Sequence, residues 1–178
     1  DQFDKSFDLI KKSGSIVFCN FVNRCFEAYN IIKRKLLLSN KNIRVSVYGG
    51  MYGLGCNAIH YLDIFQYLTN DNNIKLINSK IYPSNIKNRR GDIYSEFYGS
   101  LNFKNSKDDN ITIVSDNEFN GDIIISIQQG DVFYILNEGL QKMFSFTDSK
   151  SKILDFKITP TSKLTNKIVD DIFNNNTN

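Results

Sequence analysis

The sequence predicts an α+β fold in which helices cover one face of a large, mostly antiparallel open sheet. Three observations lead to this prediction. The chain opens with a helix–strand–helix pattern, continues through short strand-like segments separated by turn residues, and closes with an amphipathic helix. Short joints between consecutive strands force antiparallel pairing, because a parallel neighbour needs a longer crossover.

The pattern at the start of the chain is typical of the end of a parallel α/β unit whose earlier strands are absent. Residues 1–14 place Phe3, Phe7 and Ile10 on one helical face and end at a glycine, a common helix C-terminal cap. Residues 15–21, SIVFCNF, form a nearly continuous apolar run. Such a run is typical of a strand that is buried on both faces.

A second helix is predicted over residues 24–38, with an apolar stripe along one side. In the strand that follows, Ile43, Val45 and Val47 alternate with Arg, Ser and Tyr. This alternation predicts a strand that is buried on one face only. A third helix is predicted from Cys56 onward.

The rest of the chain predicts six more strands and a closing helix. Asn120-Gly121 and Gly130-Asp131 are typical of the tight turns that separate antiparallel strands. Pro160 opens a helix that continues through Leu164 and Ile168. The predicted strands cover residues 74–82, 95–103, 111–115, 122–128, 132–137 and 141–146.

Composition argues against several classes of function. The net charge is only +3, with both signs interspersed, so no nucleic-acid-binding surface is predicted. No apolar run approaches the roughly 20 residues that cross a bilayer, so no membrane partner is predicted. The 3 cysteines lack C-x-x-C spacing and predict reduced thiols without a zinc site. We therefore expect a soluble, cytoplasmic protein without a bound metal.

The single histidine, His60, is the first candidate for chemistry. If the segment from Cys56 is a helix, Ala58, Ile59, Tyr61, Leu62, Phe65 and Leu68 form a wide core stripe, and His60 lies on the opposite side. Asp63 falls on the same non-core side as His60, three residues on, where a carboxylate can orient or charge an imidazole. On spacing alone, a surface ion pair without function explains the same pattern.

The glycine-rich segment 49–55 precedes this helix. It lacks both the G-x-G-x-x-G pattern of dinucleotide-binding turns and the Gly-Lys-Ser/Thr of a phosphate loop. Glycines between a strand and a helix let the backbone approach another group closely. Together with a polar helix face they suit a small-molecule cleft, with Tyr52 and Asn57 as candidate substrate contacts.

Several segments together resemble the glucose–fructose oxidoreductase, inositol dehydrogenase and MocA (Gfo/Idh/MocA) family. The most specific is the I-H-x-x-D block around His60 and Asp63. Four others agree in order: the Asn-x-x-x-Arg of Asn20 and Arg24, KIYPS, RRGDIYSEFYGSL and TPTSKLTNKIVDDIF. The match spans nearly the whole chain and is strongest to the branch found with bacterial surface-polysaccharide genes.

The resemblance implies a function for each part of the chain. Residues 1–23 would be the end of a Rossmann domain that binds NAD or NADP. Residues 24–178 would be the substrate-binding and oligomerisation domain of an enzyme that oxidises or reduces a sugar or sugar nucleotide. His60 would be the catalytic acid/base, assisted by Asp63, and Asn20 and Arg24 would contact substrate.

Two departures from the family pattern qualify this reading. Cys56 stands where many members carry an Asp, four residues before the histidine. The dinucleotide fingerprint and the family's Glu-Lys-Pro motif are also absent from this sequence. Both belong upstream of Asp1, so we expect no NAD binding or turnover by the chain alone.

A loop after the strand that ends near Tyr82 carries the densest basic cluster. If the substrate contains a diphosphate, Arg89 and Arg90 are the predicted contacts for its phosphates, beside Tyr82. The alternative is a solvated loop whose charges bind nothing.

The predicted sheet also raises the question of self-association. Residues 123–125 and 132–136 are apolar at both strand parities, yet few helices remain to cover a second face. We therefore expect a homodimer or higher oligomer, with Ile124, Ile135 and either Phe133 or Tyr134 as contacts. The rival to an enzyme is a non-catalytic sheet domain for oligomerisation or carbohydrate binding.

Overall fold

A computed structural model of the chain describes residues 2–15, 17, 21–36, 38–84, 91, 93–147 and 150–174. Four α-helices lie in the described part: α1 Gln2–Ser13, α2 Glu27–Leu36, α3 Leu54–Thr69 and α4 Thr161–Phe173. A short 3₁₀ helix, Val22–Cys25, precedes α2 and packs against both α2 and α3. No helix in these ranges is both long and apolar enough to cross a membrane.

The described strands form one eight-stranded sheet, in the order β2-β3-β4-β1-β5-β6-β7-β8. All neighbouring pairs are antiparallel except β1 and β4, which are parallel. The α+β class and the mostly antiparallel open sheet are therefore confirmed. The strands are β1 Ile43–Gly49, β2 Lys75–Pro83, β3 Phe97–Lys104, β4 Asn110–Ser115, β5 Ile124–Gln129, β6 Val132–Asn137, β7 Lys142–Thr147 and β8 Lys150–Asp155.

The core lies between α2, α3 and one face of the central strands. In β1, β4 and β5 buried residues alternate with more exposed ones, as expected for strands covered on one face. This face is called the core face below, and the opposite one the outer face. The fully buried large side chains include Tyr29, Ile32, Leu36, Ile64, Phe65, Leu68, Ile111, Ile113, Ile125, Ile127, Leu136 and Met143.

The entry differs from the prediction in its helix boundary. The predicted helix 24–38 is split, because Phe26 adopts an extended conformation (ψ 137°) between the 3₁₀ helix and α2. Helix α2 consequently begins at Glu27. The predicted strand 15–21 includes Ile16, Phe18, Cys19 and Asn20, which lie outside the described residues, so that strand stays a prediction.

Two further predictions need correction. Helix α3 begins at Leu54, two residues before Cys56, because Gly53 (φ 78°) provides the turn into it. On that helix Ile59 is half exposed, whereas Asp63 is buried at 4% exposure, the reverse of the predicted faces. The short strand β8 escaped prediction because its sequence, KSKILD, is mostly polar and every residue of this edge strand is exposed.

Candidate functional site

The glycine-rich turn connects the central strand β1 to α3, and its glycines make room for two neighbours. A Cβ atom at Gly50 would lie 2.4 Å from the carbonyl oxygen of Phe119. A Cβ atom at Gly53 would lie 1.9 Å from Oε2 of Glu96. The close approach expected of these glycines therefore serves packing against the β4–β5 connection and against a buried carboxylate.

A cavity of about 580 Å³ opens beside this turn. It lies where β1 and β4, the parallel pair, reach their carboxyl ends, and Tyr52 lines it as predicted for a substrate contact. Its other lining residues are Gly50, Met51, Asn117, Glu118, Phe119, Asn120, Gly121 and Ile123. Aromatic rings, amides and one carboxylate are the groups that stack on and hydrogen-bond to a polyhydroxylated ligand.

Asn57 holds the glycine-rich turn from within. Its Nδ2 donates to the carbonyl oxygens of Tyr52 and of Gly53, the latter at 3.1 Å. Asn57 was predicted to contact substrate, and in this structure its amide nitrogen is used to fix the backbone beside the cavity.

His60 lies in the second turn of α3, half-buried. The ring of Phe21 meets its imidazole edge-on, with the ring centroids 5.7 Å apart and an interplanar angle of 80°. Nδ1 of His60 is buried and has no hydrogen-bond partner within the described part of the chain. Asp63, three residues on, therefore does not orient the imidazole through a direct hydrogen bond.

Asp63 instead pairs with Arg24 of the 3₁₀ helix. Nε of Arg24 donates to Oδ2 of Asp63 at 2.9 Å, and Nη2 donates to Oδ1. This bidentate contact raises the pKa of Arg24, while partial burial opposes the rise. Asp63 was expected on the non-core face beside His60. Its burial is explained by Arg24, because a buried carboxylate requires a charged or hydrogen-bonding partner.

The structure adds Glu96 to the site, which the sequence did not single out. Glu96 directly precedes β3, is 7% exposed, and packs its carboxylate against Gly53 and Gly55. Neither carboxylate oxygen has a hydrogen-bond partner among the described residues. Because α3 has no acidic residue in its first turn and no side-chain cap, this carboxylate is the negative charge at the positive end of that helix.

Buried tyrosines extend from the cavity into the core. The hydroxyl of Tyr52 is buried without a hydrogen-bond partner among the described residues, and burial raises its pKa well above the ordinary value. Tyr52 packs edge-on against Tyr61 at 5.9 Å, and Tyr61 has its own pKa raised by burial and by Glu138. Tyr29 donates to Oε1 of Glu138 at 2.7 Å. Burial raises the pKa of Glu138, and this hydrogen bond partly offsets the rise.

Solved structures share this fold at low sequence identity. A Gfo/Idh/MocA family oxidoreductase from Vibrio cholerae is 14% identical, with 94% of this chain and 55% of that chain covered and a TM-score of 0.56. UDP-N-acetylglucosamine 3-dehydrogenase GnnA from Acidithiobacillus ferrooxidans is 9% identical, with 94% and 57% covered and a TM-score of 0.60. A super-repressor mutant of Gal80p from Saccharomyces cerevisiae is 14% identical, with 100% of this chain and 57% of that chain covered and a TM-score of 0.65.

The chain has the fold of the Gfo/Idh/MocA oxidoreductases. It spans little more than half the length of the three matched chains. No protein-family model and no curated protein matches the sequence. The similarity to solved structures therefore establishes the fold and leaves substrate and activity to be argued from the site.

Within this Gfo/Idh/MocA fold, the structure gathers five of the predicted site residues into two groups. Tyr52 and Asn57 meet at the glycine-rich turn, and Arg24, His60 and Asp63 meet where the 3₁₀ helix packs against α3. Asn20, Arg89 and Arg90 lie outside the described residues.

Tyr82 is separated from both described groups. It stacks on Tyr98 of β3 at 5.4 Å, on the outer face of the sheet, whereas α3 packs on the core face. Strand β2 also lies three strands from β1, about 14 Å at ordinary interstrand spacing. Within one chain, the structure does not bring Tyr82 to His60.

Proposed function

We propose that this chain is the substrate-binding part of an NAD(P)-dependent oxidoreductase that acts on a hydroxyl or keto group of a sugar or sugar nucleotide. The observation that carries the proposal is the position of His60. The only imidazole of the chain lies next to the glycine-rich turn, at the carboxyl end of the central strand of a fold shared with dehydrogenases. The imidazole of histidine is the side chain used most often to exchange a proton with a reacting oxygen.

The described residues do not fit a nicotinamide dinucleotide. The one glycine-rich turn is filled by Phe119 and Glu96, and a carboxylate occupies the helix start where a pyrophosphate would require positive charge. The cofactor, NAD or NADP, would accept or donate the hydride and would be held by residues outside those described. The part we assign to this chain is to bind the sugar and to move the proton at its oxygen.

The substrate class rests on the cavity beside Tyr52 and on similarity to GnnA, whose name specifies a UDP-N-acetylglucosamine 3-dehydrogenase. A role in surface-polysaccharide synthesis belongs to this proposal on the sequence resemblance alone. Arg89 and Arg90 remain the proposed contacts for a diphosphate.

The experiment is steady-state kinetics on the intact enzyme that contains this chain. UDP-sugars and free sugars are offered with NAD⁺ or NADP⁺, and His60→Gln is compared with Ile59→Ala, an exposed neighbour on α3. We expect His60→Gln to lower kcat by about 10²–10⁴-fold with a much smaller effect on KM. Ile59→Ala should retain activity. Less than a threefold loss for His60→Gln, or no turnover of any sugar, would refute the proposal.

The alternative function, a non-catalytic binding or oligomerisation domain, has one observation in its favour. A super-repressor mutant of Gal80p has the same fold, so the fold does not by itself imply catalysis. Under this alternative the chain would bind sugars or associate without any oxidation of them.

We also propose that the chain self-associates through the β5–β8 half of the outer face. The pairing register assigns Ile124, Phe133 and Ile135 to that face and Tyr134 to the core face. Neighbouring strands extend the apolar surface with Phe144, Phe146 and Ile153. Light scattering should give at least a dimer, and Ile135→Lys should give a monomer. A monomeric unmodified protein would contradict this proposal.

A further inference from the structure

We propose that Phe21 and Arg24 form a clasp on His60 and Asp63 that fixes the orientation of the imidazole. Asp63 is then a positioning residue that acts on His60 through Arg24 and Phe21. The clasp is defined by two contacts: the Phe21 ring on the His60 imidazole and the Arg24 guanidinium on the Asp63 carboxylate. It rests on the proposed function and deepens it, because it explains how a histidine is held when no carboxylate of the described residues is bonded to it.

Phe21 and Arg24 are three residues apart in the chain, and so are their partners on α3, His60 and Asp63. Phe21 is the N-cap of the 3₁₀ helix and Arg24 lies three residues on, and the contacts of both side chains show that they face α3. Positions three apart in an α-helix are neighbours, so His60 and Asp63 share one side of α3. Phe21 meets His60 and Arg24 meets Asp63, so the two segments lie side by side in the same direction.

The anchor of the clasp is the ion pair between Arg24 and Asp63, because one of its two charges is buried. The Asp63 side chain is 3% exposed and the Arg24 side chain is 38% exposed, so the ion pair closes over the carboxylate. Losing Arg24 would leave a buried charge without a partner, which is strongly unfavourable. Asn30 supports the anchor from α2, since its Nδ2 donates to the carbonyl oxygen of Arg24 at 3.4 Å.

The consequence for His60 is an orientation defined by the contact with Phe21. Phe21 covers one side of the imidazole, and Nδ1 is buried and without a partner among the described residues. An imidazole is usually oriented by a hydrogen bond to its second nitrogen. Here an aromatic edge contact replaces that bond.

The test uses the full chain and the reaction of diethyl pyrocarbonate with histidine, which reports on His60 alone because the chain has one histidine. Phe21→Ala, Arg24→Met and Asp63→Asn should each increase the modification rate by roughly threefold or more, the coupling expected of contacting residues. Combining Arg24→Met with Asp63→Asn should add little to either alone. Lys33→Met is the matched control, because Lys33 also lies over the Tyr67 ring but does not contact Asp63.

Exchange of the charges, Arg24→Asp with Asp63→Arg, should restore the slow rate if each single variant folds poorly. A rate that is unchanged in Phe21→Ala, or raised by Phe21→Ala but not by Arg24→Met, would overturn the clasp. A fast rate in Lys33→Met would also overturn it. These outcomes are independent of turnover: loss of protection with full activity in His60→Gln would refute the proposed function and leave the clasp intact.

Discussion

The buried polar side chains at the two ends of the central strand β1 differ in whether they have hydrogen-bond partners. At the amino end, Asp109 accepts from the backbone N–H of Ile43 at 2.7 Å and from Nδ2 of Asn105 at 2.8 Å. Gln129, also buried, donates to the carbonyl oxygens of Lys41 at 2.7 Å and Ser39 at 3.2 Å. Every buried polar side chain in this network has a partner, as is usual for structural interiors.

At the carboxyl end, partners are missing. The buried polar side-chain atoms without a hydrogen bond, in the described ranges, all belong to Tyr52, His60 and Glu96. All three lie on or against the glycine-rich turn and the first half of α3. Unsatisfied groups cost stability, and their confinement to one end agrees with the proposal that this end binds substrate.

The largest loss of stability should come from a side chain placed between the start of α3 and Glu96. Gly53→Ala places a Cβ at a positive φ and against the Glu96 carboxylate, so it should lower the free energy of unfolding by about 2–4 kcal/mol. Gly14→Ala is the matched control: its φ is +66° but nothing lies within 4 Å, so only the backbone strain applies. Urea denaturation compares the two, and equal losses would mean that the contact with Glu96 is unimportant.

The second prediction compares one buried acid from each end. Asp109→Asn should lower the free energy of unfolding by about 2–3 kcal/mol, because an amide nitrogen replaces one of the oxygens that accept hydrogen bonds. Glu96→Gln breaks no hydrogen bond to any described residue and should change stability by less than about 1 kcal/mol. The comparison between the two ends fails if Glu96→Gln is the more damaging variant in urea denaturation.

The third prediction compares two buried tyrosine hydroxyls. Tyr29→Phe removes the donor to Glu138 and should cost about 2 kcal/mol, since a half-buried acid loses its hydrogen bond. Tyr52→Phe removes a hydroxyl that has no hydrogen-bond partner in the described part of the chain, so stability should stay the same or rise. A clear loss of thermal stability in Tyr52→Phe would reveal a partner for this hydroxyl and contradict the assignment.

The smallest expected effect is a dependence of stability on pH. Burial raises the pKa of Glu138 in the folded state above its ordinary value of 4.5, so the folded protein binds the proton more tightly than the unfolded chain does. Its contribution to stability is therefore full below pH 4.5 and is lost as the pH rises through the raised pKa. Relative to Glu138→Gln, the unmodified protein should lose stability as the pH rises above 4.5, as urea titrations at a series of pH values would measure. A constant difference would contradict the raised pKa.

Local patterns in the sequence were sufficient for most of the fold. Strand β1 was predicted correctly because one face is buried, so apolar and polar residues alternate. The turn-bounded segments that became β2 to β7 were predicted within a few residues, since turn residues mark where strands end. Strand β8 was missed because an exposed edge strand has no buried face to create a pattern.

The sequence also placed His60 on α3 beside a glycine-rich turn, because that depends only on residues close together in the chain. Only the tertiary structure decided that Asp63 turns toward Arg24, 39 residues away, and that Glu96 packs against Gly53. Helical periodicity predicts that a polar residue faces solvent. A polar residue can instead be buried when a residue far away in the sequence pairs with it, and periodicity does not reveal such a partner. The positions of charged partners far apart in sequence were therefore determined by packing, and the elements that carry them by local pattern.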